Sequence, residues 1–125
     1  MNSRHEYSFV RLRVWQSARE LAKVIYTATA QFPGREIYGL STQCNRAAIS
    51  VAANLAEGSS RPSRKDQAHF SEIAYGSLME LACLLILSTD LDILSPESES
   101  VLRAPIESVS AQLNALRRSQ RSRQA

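Results

Sequence analysis

The sequence predicts an all-α protein, an antiparallel up-down-up-down four-helix bundle, and three observations predict it. Apolar residues recur at three-and-four spacing along four separate stretches, strand-like alternation is missing, and only short polar breaks part the stretches. The best defined pair spans positions 44–77, where the run from Gly58 to Ser63 interrupts two helical patterns. Cys44, Ala47, Ala48, Val51, Ala52 and Leu55 share one face before that break; Phe70, Ile73, Ala74, Ser77, Leu78 and Leu81 share one after it. Such a pair is an αα-hairpin. Folded about its break, it sets Gly76 and Ser77 opposite Asn45, Arg46 and Ala47. A glycine inside a helix costs about 1 kcal/mol relative to alanine, so Gly76 is expected at a close crossing with the second helix.

Taken in order, the first helix is expected from about Phe9 to Gln31. Trp15, Ala18, Ala22, Ile25, Thr29 and Phe32 form its stripe, with Val14, Leu21 and Ala28 beside it. Pro33 and Gly34 end it. The second helix starts near Glu36, whose charge suits the positive end of the helix dipole, and runs to Gly58 as C-cap. Trp15 then lies opposite Ala52 and Ala53 as a core residue. Ser63 with Asp66 three residues on reads as an N-terminal capping signature, so the third helix begins there and reaches about Thr89. Its segment from Leu81 to Leu87 is apolar on every face, which implies cover from another copy of the chain. Ser95 caps the fourth helix, with Pro96 at its first position and Glu97 and Glu99 in its first turn. Leu102, Ile106, Val109, Leu113 and Leu116 are its apolar stripe, and Pro105 is expected to kink it or delay its regular part.

At 125 residues, 44% hydrophobic and 22% charged, the chain fits one domain over 1–125, with 1–8 and 119–125 expected to be flexible. The first residues lack the apolar core of a secretory signal, and no uninterrupted apolar run nears the roughly 18 residues of a membrane span, so a cytoplasmic protein is expected. Cys44 and Cys83 lie within helical patterns with no partner at metal spacing, and free buried thiols are expected. Neither a cofactor nor a metal is implied.

A formal net charge of +3 hides a polarised distribution. In the up-down-up-down topology the start of the first helix, the second break and the end of the fourth helix share one end of the bundle. That end collects Arg11, Arg13, Arg61, Arg64, Lys65, Arg117, Arg118, Arg121 and Arg123, while Asp90, Asp92, Glu97 and Glu99 gather at the other. A basic end of this kind can hold phosphates by counterion release without reading sequence. Solvated surface is the plainer account, since no recognition helix, RNA-binding aromatic motif or zinc finger accompanies the charge.

Enzymatic readings are thinner. Arg64 and His69 make an Arg-x4-His pattern resembling that of the HEPN ribonucleases, but so short a pattern arises by chance, and helix capping already accounts for its surroundings. Glu57, Glu72, Glu80 and His5 form no acid–base pair that spacing supports. Glu57 sits near a helix C-terminus, where its charge is unfavourable, and is expected to pair with Arg61 or Arg13. Arg46 is expected to pair with Glu72 or Glu80.

Several stretches together carry a resemblance: the Phe9–Ala18 segment, Phe32-Pro33, Tyr38 to Leu40, Gln43, Arg46 to Ala48, Asn54 to Gly58, and Ile73 to Leu78 with Glu80 and Leu81. Over residues 9–94 the chain resembles the 23S ribosomal RNA intervening-sequence protein family of four-helix-bundle proteins. The resemblance implies a five-membered ring. It also implies a relation to the accessory variability determinants of diversity-generating retroelements, which bind nucleic acid and a reverse transcriptase through a basic ring surface. Two functions follow as expectations: a non-enzymatic, ring-forming nucleic-acid-binding accessory protein, with Arg11, Arg13, Arg61, Arg64, Lys65, Arg117 and Arg118 on phosphates, or an oligomeric protein–protein scaffold with no nucleic-acid role.

Overall fold

The computed structural model describes residues 7–122. A 3-10 turn, Ser8–Arg11, leads into four helices: α1 Arg13–Thr29, α2 Leu40–Ser59, α3 Arg64–Asp90 and α4 Pro96–Ser122. No strand occurs among the described residues. Each helix packs on its neighbour in sequence and α4 closes on α1, while α2 and α3 make the most extensive pair. This is the expected bundle. Its core is built from Leu21, Ile25, Val51, Leu78, Leu81 and Leu113, all fully enclosed, with Leu55, Leu85, Leu102 and Val109 around them.

Local chemistry sets the element ends. Ser63 Oγ accepts the Asp66 N–H at 3.1 Å and starts α3; Ser95 Oγ accepts the Ser98 N–H at 3.1 Å ahead of α4. The expected first helix is instead broken at Leu12, which is extended (φ −75°, ψ 118°). Phe9 and Trp15 are six residues apart and would not meet on one continuous helix, yet here their rings touch edge to face at 4.9 Å. Gln16 Nε2 fastens the fold-back by donating to the Val10 carbonyl at 2.8 Å. The second helix begins later than expected. Gly34–Glu36 is a separate 3-10 turn, Gly39 leaves helical geometry, and Glu36 Oε1 reaches forward to accept the Leu40 N–H at 3.1 Å. The acid therefore serves the dipole from outside the helix.

The two glycines expected in α2 and α3 exchange roles. Gly58 is not a left-handed C-cap: α2 runs through it to Ser59, and none of the described glycines has a positive φ. It is buried against α3, where a Cβ would lie 2.9 Å from Phe70 Cβ. Gly76, expected at the crossing, is exposed, with nothing within 4 Å of the Cβ it lacks. At about 100° per residue, Gly76 points some 160° away from both Ala74 and Leu78, which face the core. Ser77 does face α2, and its hydroxyl meets that of Ser50 at 2.8 Å, about a turn from the expected register at Ala47.

Other expectations shift for similar reasons. Trp15 is half-buried on the outside of the α1–α2 pair rather than in the core, and Ile73 is exposed, while Ser71 and Ser88 are buried in its stead. The Ser88 hydroxyl is satisfied within its own helix by donating to the Leu84 carbonyl at 2.7 Å. Cys44 is buried as expected, but Cys83 is exposed. Burial first, and the nearby Glu80 charge second, push the Cys44 thiol up to about 11. Helix α3 is long and apolar enough, by length and composition, to cross a membrane, although its Leu78–Leu81–Leu85 side forms the core of this bundle. Helix α4 passes through Pro105 without interruption and extends beyond the expected end at Arg118, with Gln120 buried. The 1–6 and 123–125 parts of the expected flexible termini lie outside the described residues.

Candidate nucleic-acid interface

The beginnings of α1 and α3 and the ends of α2 and α4 meet around one cavity of about 230 Å³, lined by Leu12, Leu55, Gly58, Gln67, Ser71 and Leu116 among others. The four-way meeting brings three stretches of basic residues, distant in sequence, to the same end of the bundle. Arg11 and Arg13 flank Leu12; Arg61, Arg64 and Lys65 flank the α2–α3 connection; Arg117, Arg118 and Arg121 lie on the last turns of α4. Arg123 and His5 lie outside the described residues.

The cations differ in how free they are. Arg61 donates to Glu57 Oε2 at 2.8 Å and holds its guanidinium 5.0 Å from the Phe70 ring centre, while its Nε is buried with no acceptor. Of the two partners expected for Glu57, Arg61 and Arg13, it is Arg61, one turn on, that takes the carboxylate. Arg117 is more deeply engaged. Its Nε and one terminal nitrogen donate to the two Glu72 oxygens at 3.2 and 2.7 Å, its other terminal nitrogen donates to Asn114 Oδ1 at 2.7 Å, and the guanidinium lies 4.2 Å from the Tyr75 ring centre. The Arg117 hydrogen bond holds the Glu72 carboxyl below the usual carboxylate range. Arg121 stands 3.9 Å from the same carboxylate. Arg46, expected to pair with Glu72 or Glu80, has no ion pair among the described residues: Glu72 is taken by α4, and Glu80 stands exposed on the outward side of α3.

Arg11, Arg13, Arg64, Lys65 and Arg118 have no carboxylate partner among the described residues. Only Arg64 of these five is partly buried; the others stand in solvent. Arg61 and Arg117 are held by carboxylates of the chain itself, whereas an unpaired cation has only water and counterions to give up to an incoming anion. The far end holds Asp90, Asp92, Glu97 and Glu99, with Glu99 tied to Arg103 at 2.9 Å. No hydrogen bond joins Arg64 to His69; the exposed His69 ring lies against Phe70. Among the described residues no group of three acidic, His or Cys side chains could hold a metal.

Sequence reasoning missed the Arg117–Glu72 clamp, which depends on how α4 rotates against α3. The only signal for it was Tyr75 three residues beyond Glu72, an aromatic face on which an arginine can lie. It also missed a groove of about 570 Å³ along the outside of α1 and α2, walled by Phe9, Trp15, Tyr26 and Ile49 over a floor that includes Ala52 and Ala53.

Fold and charge together define a small all-helical bundle protein with one basic end. The chain belongs to the 23S rRNA-intervening sequence protein family, whose model matches residues 10–115 and so takes in most of α4 as well as the segments that carried the resemblance. No curated protein sequence matches the chain significantly.

Proposed function

We propose that this chain is a non-enzymatic accessory protein of the cytoplasm that assembles into a ring, five-membered as the family resemblance implies, and binds RNA or DNA through its basic end. The observation that carries the reading is the set of unpaired cations, Arg11, Arg13, Arg64, Lys65 and Arg118, at the end of the bundle where the helix termini meet. Repetition of that set around a ring would turn a modest field into a strong one and make binding multivalent. Backbone contacts position a nucleic acid without reading bases, so affinity is expected to depend on salt far more than on sequence. Arg61 and Arg117 are already paired, and their part is to hold the floor of the site and lend charge to it.

The test is fluorescence anisotropy with labelled single-stranded RNA, single-stranded DNA and duplex DNA. Log affinity should fall with log salt at a slope of about −0.7 to −0.9 per phosphate contacted. Reversing Arg64, Lys65 and Arg118 to Glu should abolish binding with the helical signal intact, whereas His69→Ala should leave it unchanged. Several large apolar side chains stand exposed on the helix faces, among them Ile49, Ile86 and Leu87, and these favour assembly whatever the ligand. A wild-type oligomer that binds no nucleic acid at low salt would leave the scaffold reading in its place. Where the gene adjoins a reverse transcriptase, that enzyme is the protein partner to test.

A further inference from the structure

Gly76 is a helix-interior glycine on the solvent side of α3, so its propensity cost has no compensation inside the chain. It begins an outward strip on that helix, continued by Met79, Glu80, Cys83, Ile86 and Leu87, all of them exposed. Glu80, the one charge in the strip, has no ion-pair partner among the described residues. Across the molecule, the α1–α2 groove presents Trp15, Arg19, Ala22 and Tyr26. Arg19 lies 5.5 Å from the Trp15 ring centre and has no carboxylate partner among the described residues.

The two surfaces match residue by residue. Gly76, Glu80, Cys83 and Leu87 are spaced four, three and four apart, and so are Trp15, Arg19, Ala22 and Tyr26. At a rise of about 1.5 Å per residue each set is about 16 Å long. Laid parallel, they put glycine against tryptophan, glutamate against arginine, cysteine against alanine and leucine against tyrosine. Small meets large where bulk would clash, and the unpaired acid meets the groove's unpaired base, its other base, Lys23, being tied to Glu20.

We propose that the α3 strip of one copy docks, parallel, into the α1–α2 groove of the next, with Glu80 on Arg19 and Gly76 on Trp15. The inference rests on the ring reading above and names the faces that make the ring. Strip and groove lie on different helices, so the contact is head-to-tail and propagates from copy to copy until it closes. In an up-down-up-down bundle α1 and α3 run in the same direction, so parallel docking keeps every basic end on one side of the assembly.

Cys83 makes the contact testable by disulfide trapping of the full chain, with a copper–phenanthroline complex as oxidant. Cys44 stays out of the reaction because it is buried with a raised thiol. In the docked register Cys83 faces Ala22, so Ala22→Cys should yield a ladder of covalent multimers on non-reducing gels, ending at the ring size, while the wild type yields single chains. In sedimentation, Arg19→Glu and Glu80→Arg should each weaken assembly by about tenfold or more, and the double reversal should restore it. Wild-type Cys83–Cys83 dimers stopping at two would overturn the proposal, since they mean α3 docks on itself. So would an intact oligomer in which Ala22→Cys forms no ladder and the double reversal gives no rescue; that result leaves ring and nucleic-acid binding standing on other faces. A wild-type chain that sediments as a monomer would remove the ring and the docking together.

Discussion

Gly58→Ala is the sharpest test of how the bundle is packed. The added Cβ would lie 2.9 Å from Phe70 Cβ and 3.5 Å from the Gln67 carbonyl oxygen. Two carbons rest comfortably at about 3.5–4.0 Å, so α2 and α3 must separate locally by about 0.6–1 Å. Phe70 Cβ is bonded to the backbone and cannot rotate out of the way. Overpacking of this kind costs about 1–3 kcal/mol, and alanine returns up to about 1 kcal/mol of helix propensity, less in a last turn. A net loss of about 1–2 kcal/mol is therefore expected, or a midpoint about 4–8 °C lower for a chain of this size. Thermal and urea unfolding followed by circular dichroism would measure it. Gly76→Ala is the paired control: its Cβ meets nothing, so the dissociated chain should gain up to about 1 kcal/mol. A Gly58→Ala chain as stable as the wild type, or more so, would refute the close approach.

Three further outcomes are expected. Ser63→Ala removes the acceptor for the Asp66 N–H and should cost about 1 kcal/mol in urea unfolding. Glu72→Gln loosens the hold on Arg117; because the Glu72 carboxyl is depressed in the folded chain, its contribution is complete above the ordinary value of 4.5 and fades as pH falls through the lower folded value. The wild-type advantage over this variant should be below about 1 kcal/mol at pH 7, the carboxylate being half exposed, and should shrink as the pH falls below 4.5. Cys44 behaves with the opposite sense: its thiol ionises near 9.0 in the unfolded chain and about 11 in the folded one, so its contribution is lost as pH rises from the first value through the second. Cys44→Ala should flatten that alkaline decline, and iodoacetamide at pH 8 should label Cys44 only after unfolding, as read by mass spectrometry.

What could be read from the sequence was local. The serine caps of α3 and α4 and the Glu57–Arg61 pair lie within one turn of chain, where spacing alone decides who meets whom. The buried face of α2 was plain because Cys44, Ala47, Ala48, Val51 and Leu55 keep three-and-four spacing along its length. Helix α3 is apolar nearly all round, so periodicity could not choose its inner side, and Ile73 was placed inward where Ser71 belongs. The expectation for Gly76 rests on its propensity cost, and that cost carries no direction: the residue stands on the open side of α3. The basic end followed from topology, but which cations stay free did not, since the Glu72–Arg117 clamp depends on the packing of α3 on α4.

The narrow gap between Gly58 and Phe70 also bears on the order in which the chain folds. Residues 60–63 are all that separate α2 from α3, so closing this hairpin costs little loop entropy and gives the most extensive helix pair in the bundle. Contacts so near in sequence and so extensive are expected to form early, with α1 and α4 docking on the hairpin afterwards. In stopped-flow experiments a substitution at Gly58 should therefore act on the folding limb, slowing it with little change in the unfolding rate. Ser95→Ala, at the cap of the last helix to dock, should act on the other limb and speed unfolding.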